Sequence, residues 1–209
     1  LAQDGWAVVV NYRHTAEGAD AVALTVRAFG QRALVVKADV SRHDEVAQMI
    51  ETAVRELGSI DAVVNNAGVY KRSKLAETDM ADWHEALDVN LTGSYQVTKA
   101  AEPHLRRDAR VVNVASVLAS IGSQHGAHYA AAKAGVVAMT KSLALELAPR
   151  GVLVNCVAPG AIFALIGLHL YLVIRLGVTS RERLNLHGEW VLPIEGMDYA
   201  QTGRNDQDE

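Results

Sequence analysis

Short apolar runs alternate with longer segments whose apolar residues recur every three or four positions. The runs Trp6 to Val10, Ala33 to Lys37, Ile60 to Val64, Arg110 to Ala115 and Leu153 to Val157 read as strands. Between them, Ala16 to Phe29 reads as a helix. A second helix begins at Ser41, with Asp44 three residues on as a carboxylate form of a capping box. Within it, Val46, Ile50, Ala53, Val54 and Leu57 hold helical spacing, and Gly58 ends it. A long helical stretch from Met80 to Leu105 is predicted to break near Asn90, and Ala127 to Ala148 is a helix rich in small residues. Strands that are apolar throughout and separated by helices imply parallel pairing with both faces covered. The expected fold class is therefore α/β, a doubly wound parallel sheet of Rossmann-like type.

Such sheets bind ligands at the carboxyl ends of their strands. Polar and glycine-bearing clusters fall at those ends: Asn11-Tyr12-Arg13, Asp39, Asn65-Asn66-Ala67-Gly68, Ser116 and Pro159-Gly160. Any one of them is ordinary turn chemistry, whereas five clusters at five strand ends mark a site. Composition narrows the function classes. Half of the 209 residues are apolar and 21% are charged, which excludes disorder for most of the chain. The net charge is −4 with no basic block, so nucleic acid is not an expected partner. The single cysteine, Cys156, forms no intrachain disulfide and has no zinc spacing. It reads as a small core residue in a reducing compartment, here the cytoplasm.

The candidate chemistry centres on Tyr129 and Lys133, four residues apart and hence on one helix face. With six tyrosines and six lysines in the chain, chance supplies about 0.2 such pairs, so the spacing alone is weak. Its logic is stronger: a free tyrosine has a pKa of about 10, and a neighbouring ammonium favours its ionised form. Ser116, directly after a strand and thirteen residues before Tyr129, offers a hydroxyl to a substrate oxygen. Asn90 reads either as a water-holding kink or as a local helix irregularity.

Together these residues resemble the short-chain dehydrogenase/reductase family, and within it the β-ketoacyl-acyl-carrier-protein reductases. The resemblance is carried by Asp39-Val40, Asn65-Asn66-Ala67-Gly68, Asn90, Ser116, Tyr129-x-x-x-Lys133 and Asn155-x-x-x-Pro159-Gly160, in the family's order and spacing. It implies that Tyr129 is the general acid, that Lys133 lowers its pKa and holds the nicotinamide ribose, that Ser116 orients the substrate oxygen and that Asn90 supports a proton relay. It further implies that Asp39 and Val40 contact the adenine, that Asn66, Ala67 and Gly68 line the cofactor cleft beside Pro159 and Gly160, and that the Ile162 backbone meets the carboxamide. Hydride transfer of this kind needs no metal. Asn11-Tyr12-Arg13 lacks the acid that NAD-selective members use, and Arg13 suits a 2′-phosphate, so NADP is expected, with NAD as the alternative.

The chain departs from the family at both ends. The family's first strand and glycine-rich turn are expected before Leu1. That strand belongs between the strands at Trp6 and Ile60, so the sheet is expected to be incomplete at its N-terminal side. Residues 1–162 thus form a partial dinucleotide-binding and catalytic domain. Residues 163–209 form an atypical, divergent tail, expected to be partly disordered at Gly203 to Glu209. The apolar segment Ala161 to Ile174 is shorter than the roughly 20 residues of a spanning helix, so a buried segment is expected rather than a membrane anchor. The expected function is hydride transfer between NADP(H) and a carbonyl or alcohol, a β-ketoacyl thioester above all, small or carrier-bound. The alternatives are a sugar or polyol dehydrogenase and a catalytically inactive fragment. Family members self-associate through the helices around 96–105 and 127–148, so a homo-oligomer, more specifically a dimer, is expected.

Overall fold

The computed structural model describes residues 1–160. The expectations for Ile162, the apolar segment from Ala161 and the tail lie outside the described residues. Five strands, β1 (Val8–Tyr12), β2 (Ala33–Lys37), β3 (Ile60–Asn65), β4 (Leu105–Val114) and β5 (Leu153–Val157), alternate with helices. The helices are α1 (Ala16–Ala28), α2 (His43–Leu57), α3 (Met80–Leu87), α4 (Gly93–Ala101), the single turn α5 (Leu118–Ile121) and α6 (Ala127–Leu147).

Every ladder is parallel, as the apolar runs imply. The strands fall into two ladders, β1–β2 and β3–β4–β5. Among the described residues no strand joins β1 to β3. Val64 of β3 is 37% exposed.

The main core lies on one face of β3–β4–β5. Val46, Met49 and Ile50 of α2 and Val97 and Ala101 of α4 meet Val63, Val111 and Val154 there. The neighbouring Val112 points to the other face, where it packs with Val157 and Trp6, as the strand period of two requires. Burying a valine side chain stabilises by roughly 1.5–3 kcal/mol. A buried polar ladder crosses this core. Asn65 Nδ2 donates to Thr98 Oγ1 at 2.8 Å and to Asn113 Oδ1 at 2.7 Å, and Asn113 Nδ2 donates to Thr140 Oγ1 at 2.9 Å. It ties α4, β3, β4 and α6 to one register, because leaving any member unpaired costs roughly 1–3 kcal/mol.

Two local expectations are corrected. The start of α2 has no side-chain cap: the helix begins at His43, and Asp44 pairs with Arg42. Ahead of the helix, Asp39 Oδ1 accepts from the Ser41 N–H and hydroxyl, and Glu45 Oε2 accepts from the Asp39 N–H. Strand β1 also lies two residues later than the apolar run, because Asn11 and Tyr12 pair with Val36 and Lys37. The break near Asn90 is present as a π-helical turn, Asp88–Thr92. Such turns cluster at functional sites.

Candidate active site

Parallel strands put the ends of β3, β4 and β5 on one edge, and a cleft of about 480 Å³ opens there. Asn66, Gly68, Asn90, Ser116, Tyr129, Lys133, Pro159 and Gly160, all expected from sequence, line it. Tyr129 and Lys133 come from the first turns of α6, whose small residues let the helix approach closely. The Gly135 Cα faces Leu91 so tightly that a Cβ would lie 2.7 Å from Leu91 Cδ2.

Lys133 is only 3% exposed, and its Nζ donates to the Val114 carbonyl at 2.6 Å. Burial pushes its ammonium down to about 8. Nζ also stands 5.8 Å from the centre of the Tyr129 ring. Ser116 is buried at the end of β4, and its Oγ accepts from the Leu118 N–H at 3.2 Å. That leaves the hydroxyl proton available to a substrate oxygen.

Asn90 is fully buried by the π-helical turn. Its Nδ2 donates to the carbonyls of Val69 at 2.9 Å and Ala86 at 2.8 Å, and its Oδ1 accepts from the Val69 N–H at 3.2 Å. Thus it clamps the loop after β3. Gly68 is required there: a Cβ would lie 2.7 Å from Asn90 Oδ1 and 3.6 Å from Lys133 Nζ.

Other expected residues sit apart from this centre. Asn11 Nδ2 donates to the carbonyls of Val36 and Ala38, stitching β1 to β2. Arg13 Nε pairs with Asp39 Oδ2 at 2.8 Å, and its Nη1 lies 3.7 Å from Glu85 Oε1. For Asp39, burial alone would raise the carboxyl, but the Ser41 hydrogen bonds and the Arg13 and Arg42 charges outweigh it and hold it below its ordinary value. The Val40 side chain is a core contact, since a Cβ on Gly93 would come within 2.7 Å of it. Cys156 is half-buried on β5, and burial pushes its thiol up. Ala67 is exposed in the loop after β3.

Six lining residues carry no motif: Val69, Tyr70, Val114, Ala115, Val117 and Leu118. Tyr70 is the most prominent, with its ring stacked on Tyr129 at 4.4 Å between centroids. The only sequence signal of these six is position, after Asn65-Asn66-Ala67-Gly68 or on either side of Ser116.

The short-chain dehydrogenase family model matches residues 1–165. The chain belongs to this family. A 3-oxoacyl-[acyl-carrier-protein] reductase of Synechocystis is 43% identical over 164 residues, which cover 78% of this chain and 66% of that enzyme. A short-chain dehydrogenase from Burkholderia cenocepacia, solved in complex with NADP, is 35% identical with a TM-score of 0.74, over 77% of this chain and 66% of that one. A family member from Brucella melitensis described as a glucose/ribitol dehydrogenase is 37% identical with a TM-score of 0.69, over 74% of this chain and 64% of that one. The chain therefore spans about two thirds of the length of these relatives. Among the described residues of this family member, no helix is long and apolar enough to cross a membrane.

Proposed function

We propose that the chain is an NADP(H)-linked reductase of carbonyl compounds, acting on a 3-oxoacyl thioester, free or carrier-bound. The observation that carries this reading is the convergence of Tyr129, Lys133, Ser116 and Asn90 on one cleft at the strand ends. The residues present fit a dinucleotide. Gly68 and Gly160 line the cleft with backbone alone, and Lys133 lines it beside them. Arg13, at the end of β1, suits a 2′-phosphate once it exchanges Asp39 for the new anion.

When bound, the dihydronicotinamide supplies a hydride to the carbonyl carbon. Tyr129 gives its hydroxyl proton to the carbonyl oxygen, while the Ser116 hydroxyl donates a hydrogen bond to the same oxygen. Lys133 carries positive charge at neutral pH. It favours the phenolate left on Tyr129 and would hold the ribose hydroxyls of a bound dinucleotide. Asn90 keeps the Val69 segment in place, so the wall of the cleft does not relax when a substrate enters. Asp39 and Val40 would meet the adenine, and Asn66 to Gly68 with Pro159 and Gly160 would line the cofactor path.

One observation favours a second reading, a sugar or polyol dehydrogenase: the likeness to the Brucella protein described as a glucose/ribitol dehydrogenase. Self-association through α4 and α6 accompanies either reading, as does a cytoplasmic location. Isothermal titration of the purified chain with NADPH and NADH, followed by turnover assays with an acetoacetyl thioester and with glucose or ribitol, separates the readings. NADPH binding above NADH together with thioester reduction supports the proposal. Turnover of the polyol alone supports the second reading, and no binding of either dinucleotide refutes both.

A further inference from the structure

Tyr70 belongs to no motif, yet it touches the reacting side chain. Its ring stacks on Tyr129 with 4.4 Å between centroids and 28° between planes. Its hydroxyl shares a 3.0 Å hydrogen bond with Ser123 Oγ. Gly126 lies against it so closely that a Cβ would come within 2.5 Å of Tyr70 Cε2. The backbone is fastened on both sides: the Val69 N–H and carbonyl bond the Asn90 amide, and the Lys71 carbonyl pairs with His128 Nε2 at 3.0 Å. A ring that is 41% exposed is usually free to turn, and this one is clamped.

We propose that Tyr70 is a specificity-determining residue. Its fixed ring is a wall that admits carbonyl compounds with a slender, unbranched neighbour to the reacting carbon and rejects those branched there. The proposal rests on the reductase reading above. A substrate oxygen that takes the Tyr129 proton must come within roughly 2.6–3.2 Å of the hydroxyl. One face of the Tyr70 ring is covered by the Tyr129 ring, and Tyr70 lines the same cleft as Tyr129 and Ser116, so a group attached beside the carbonyl meets the rest of the ring. A branch on that side meets a ring that cannot turn away without giving up the stack on Tyr129 and the bond to Ser123. Rejection of one methyl by a tight pocket amounts to roughly 10- to 200-fold.

The test uses the full chain without cofactor and two unreactive, product-like probes, the N-acetylcysteamine thioesters of 3-hydroxybutyrate and of 2-methyl-3-hydroxybutyrate. Dissociation constants are read by NMR titration. The expected wild-type preference for the unbranched probe is about tenfold or more. Tyr70→Ala brings the two constants within about twofold of each other, and Tyr70→Phe, which keeps the ring and its stack on Tyr129 but not the bond to Ser123, retains a preference between those of the wild type and the alanine variant. Tyr70→Leu, apolar but without the flat ring, gives the same readout where the alanine variant does not fold. An unchanged ratio in the ring-less variant, or no preference in the wild type, overturns the role of Tyr70. Absence of any binding of the unbranched probe to the wild type overturns the reductase reading itself, and Tyr70's role with it.

Discussion

Replacing Lys133 by methionine separates what the residue does for function from what it costs the fold. The buried amine titrates near 8 against 10.5 for an ordinary lysine, because burial disfavours its charge. At about 1.4 kcal/mol per pH unit, holding it charged below pH 8 costs the native state about 3 kcal/mol. The sign follows from proton counts. Between about pH 8 and 10.5 the unfolded chain holds a proton that the native chain has released, so this residue makes stability rise with pH across that window. Lys133→Met lacks the titration, and it also loses the bond to the Val114 carbonyl, worth roughly 1–2 kcal/mol. At about pH 7 the variant is therefore expected to be more stable than the wild type by roughly 1–2 kcal/mol, and at about pH 10.5 less stable by a similar amount. Urea denaturation followed by circular dichroism at both pH values measures the difference, in which titrations common to both proteins cancel. A wild-type–variant gap that stays constant between the two pH values would refute the reasoning.

Tyr129→Phe is expected to abolish carbonyl reduction while leaving the melting temperature within a degree or two, checked by turnover and thermal unfolding together; retained turnover removes Tyr129 as the acid. Gly68→Ala drives a Cβ to 2.7 Å from Asn90 Oδ1, so it should destabilise the chain by roughly 1–3 kcal/mol and weaken NADPH binding, read by denaturant titration and calorimetry. Cys156, half-buried with its thiol pushed up, is expected to react with a thiol reagent far more slowly in the native chain than in the unfolded one. Self-association through α4 and α6, which leave Tyr95 and Leu145 exposed at 45% and 71%, is expected to give a dimer by light scattering; a folded monomer at micromolar concentration contradicts it.

Much of this architecture is legible in the sequence because burial imposes period. The spacing of Val46, Ile50 and Ala53 is the buried face of α2, and the apolar runs at Ala33 and Leu153 end where β2 and β5 end. The break at Asn90 is legible because an amide inside a helix competes for backbone partners, and here it takes the Ala86 carbonyl. Strand β4 is less so: it starts at Leu105 through Arg106, Arg107 and Asp108, charged residues without apolar alternation, held by pairing of Leu105 with Ile60 and bent where Asp108 adopts φ 65°. Asn11 and Val40 show the opposite limit. Their side-chain partners carry no local signal: the Asn11 side chain bonds the adjoining strand's backbone and the Val40 side chain packs in the core. Tyr70 carries no local pattern, because what fixes it is a ring and a glycine more than fifty residues along the chain.

Label transfer tests the central claim most directly. The full chain is incubated with NADPH deuterated at the transferable position and an acetoacetyl thioester, and the product is analysed by mass spectrometry. The account predicts a 3-hydroxybutyryl thioester carrying one deuterium at carbon 3, formed by the wild type and absent with Tyr129→Phe. Unlabelled product, or labelled product formed equally by Tyr129→Phe, would contradict it.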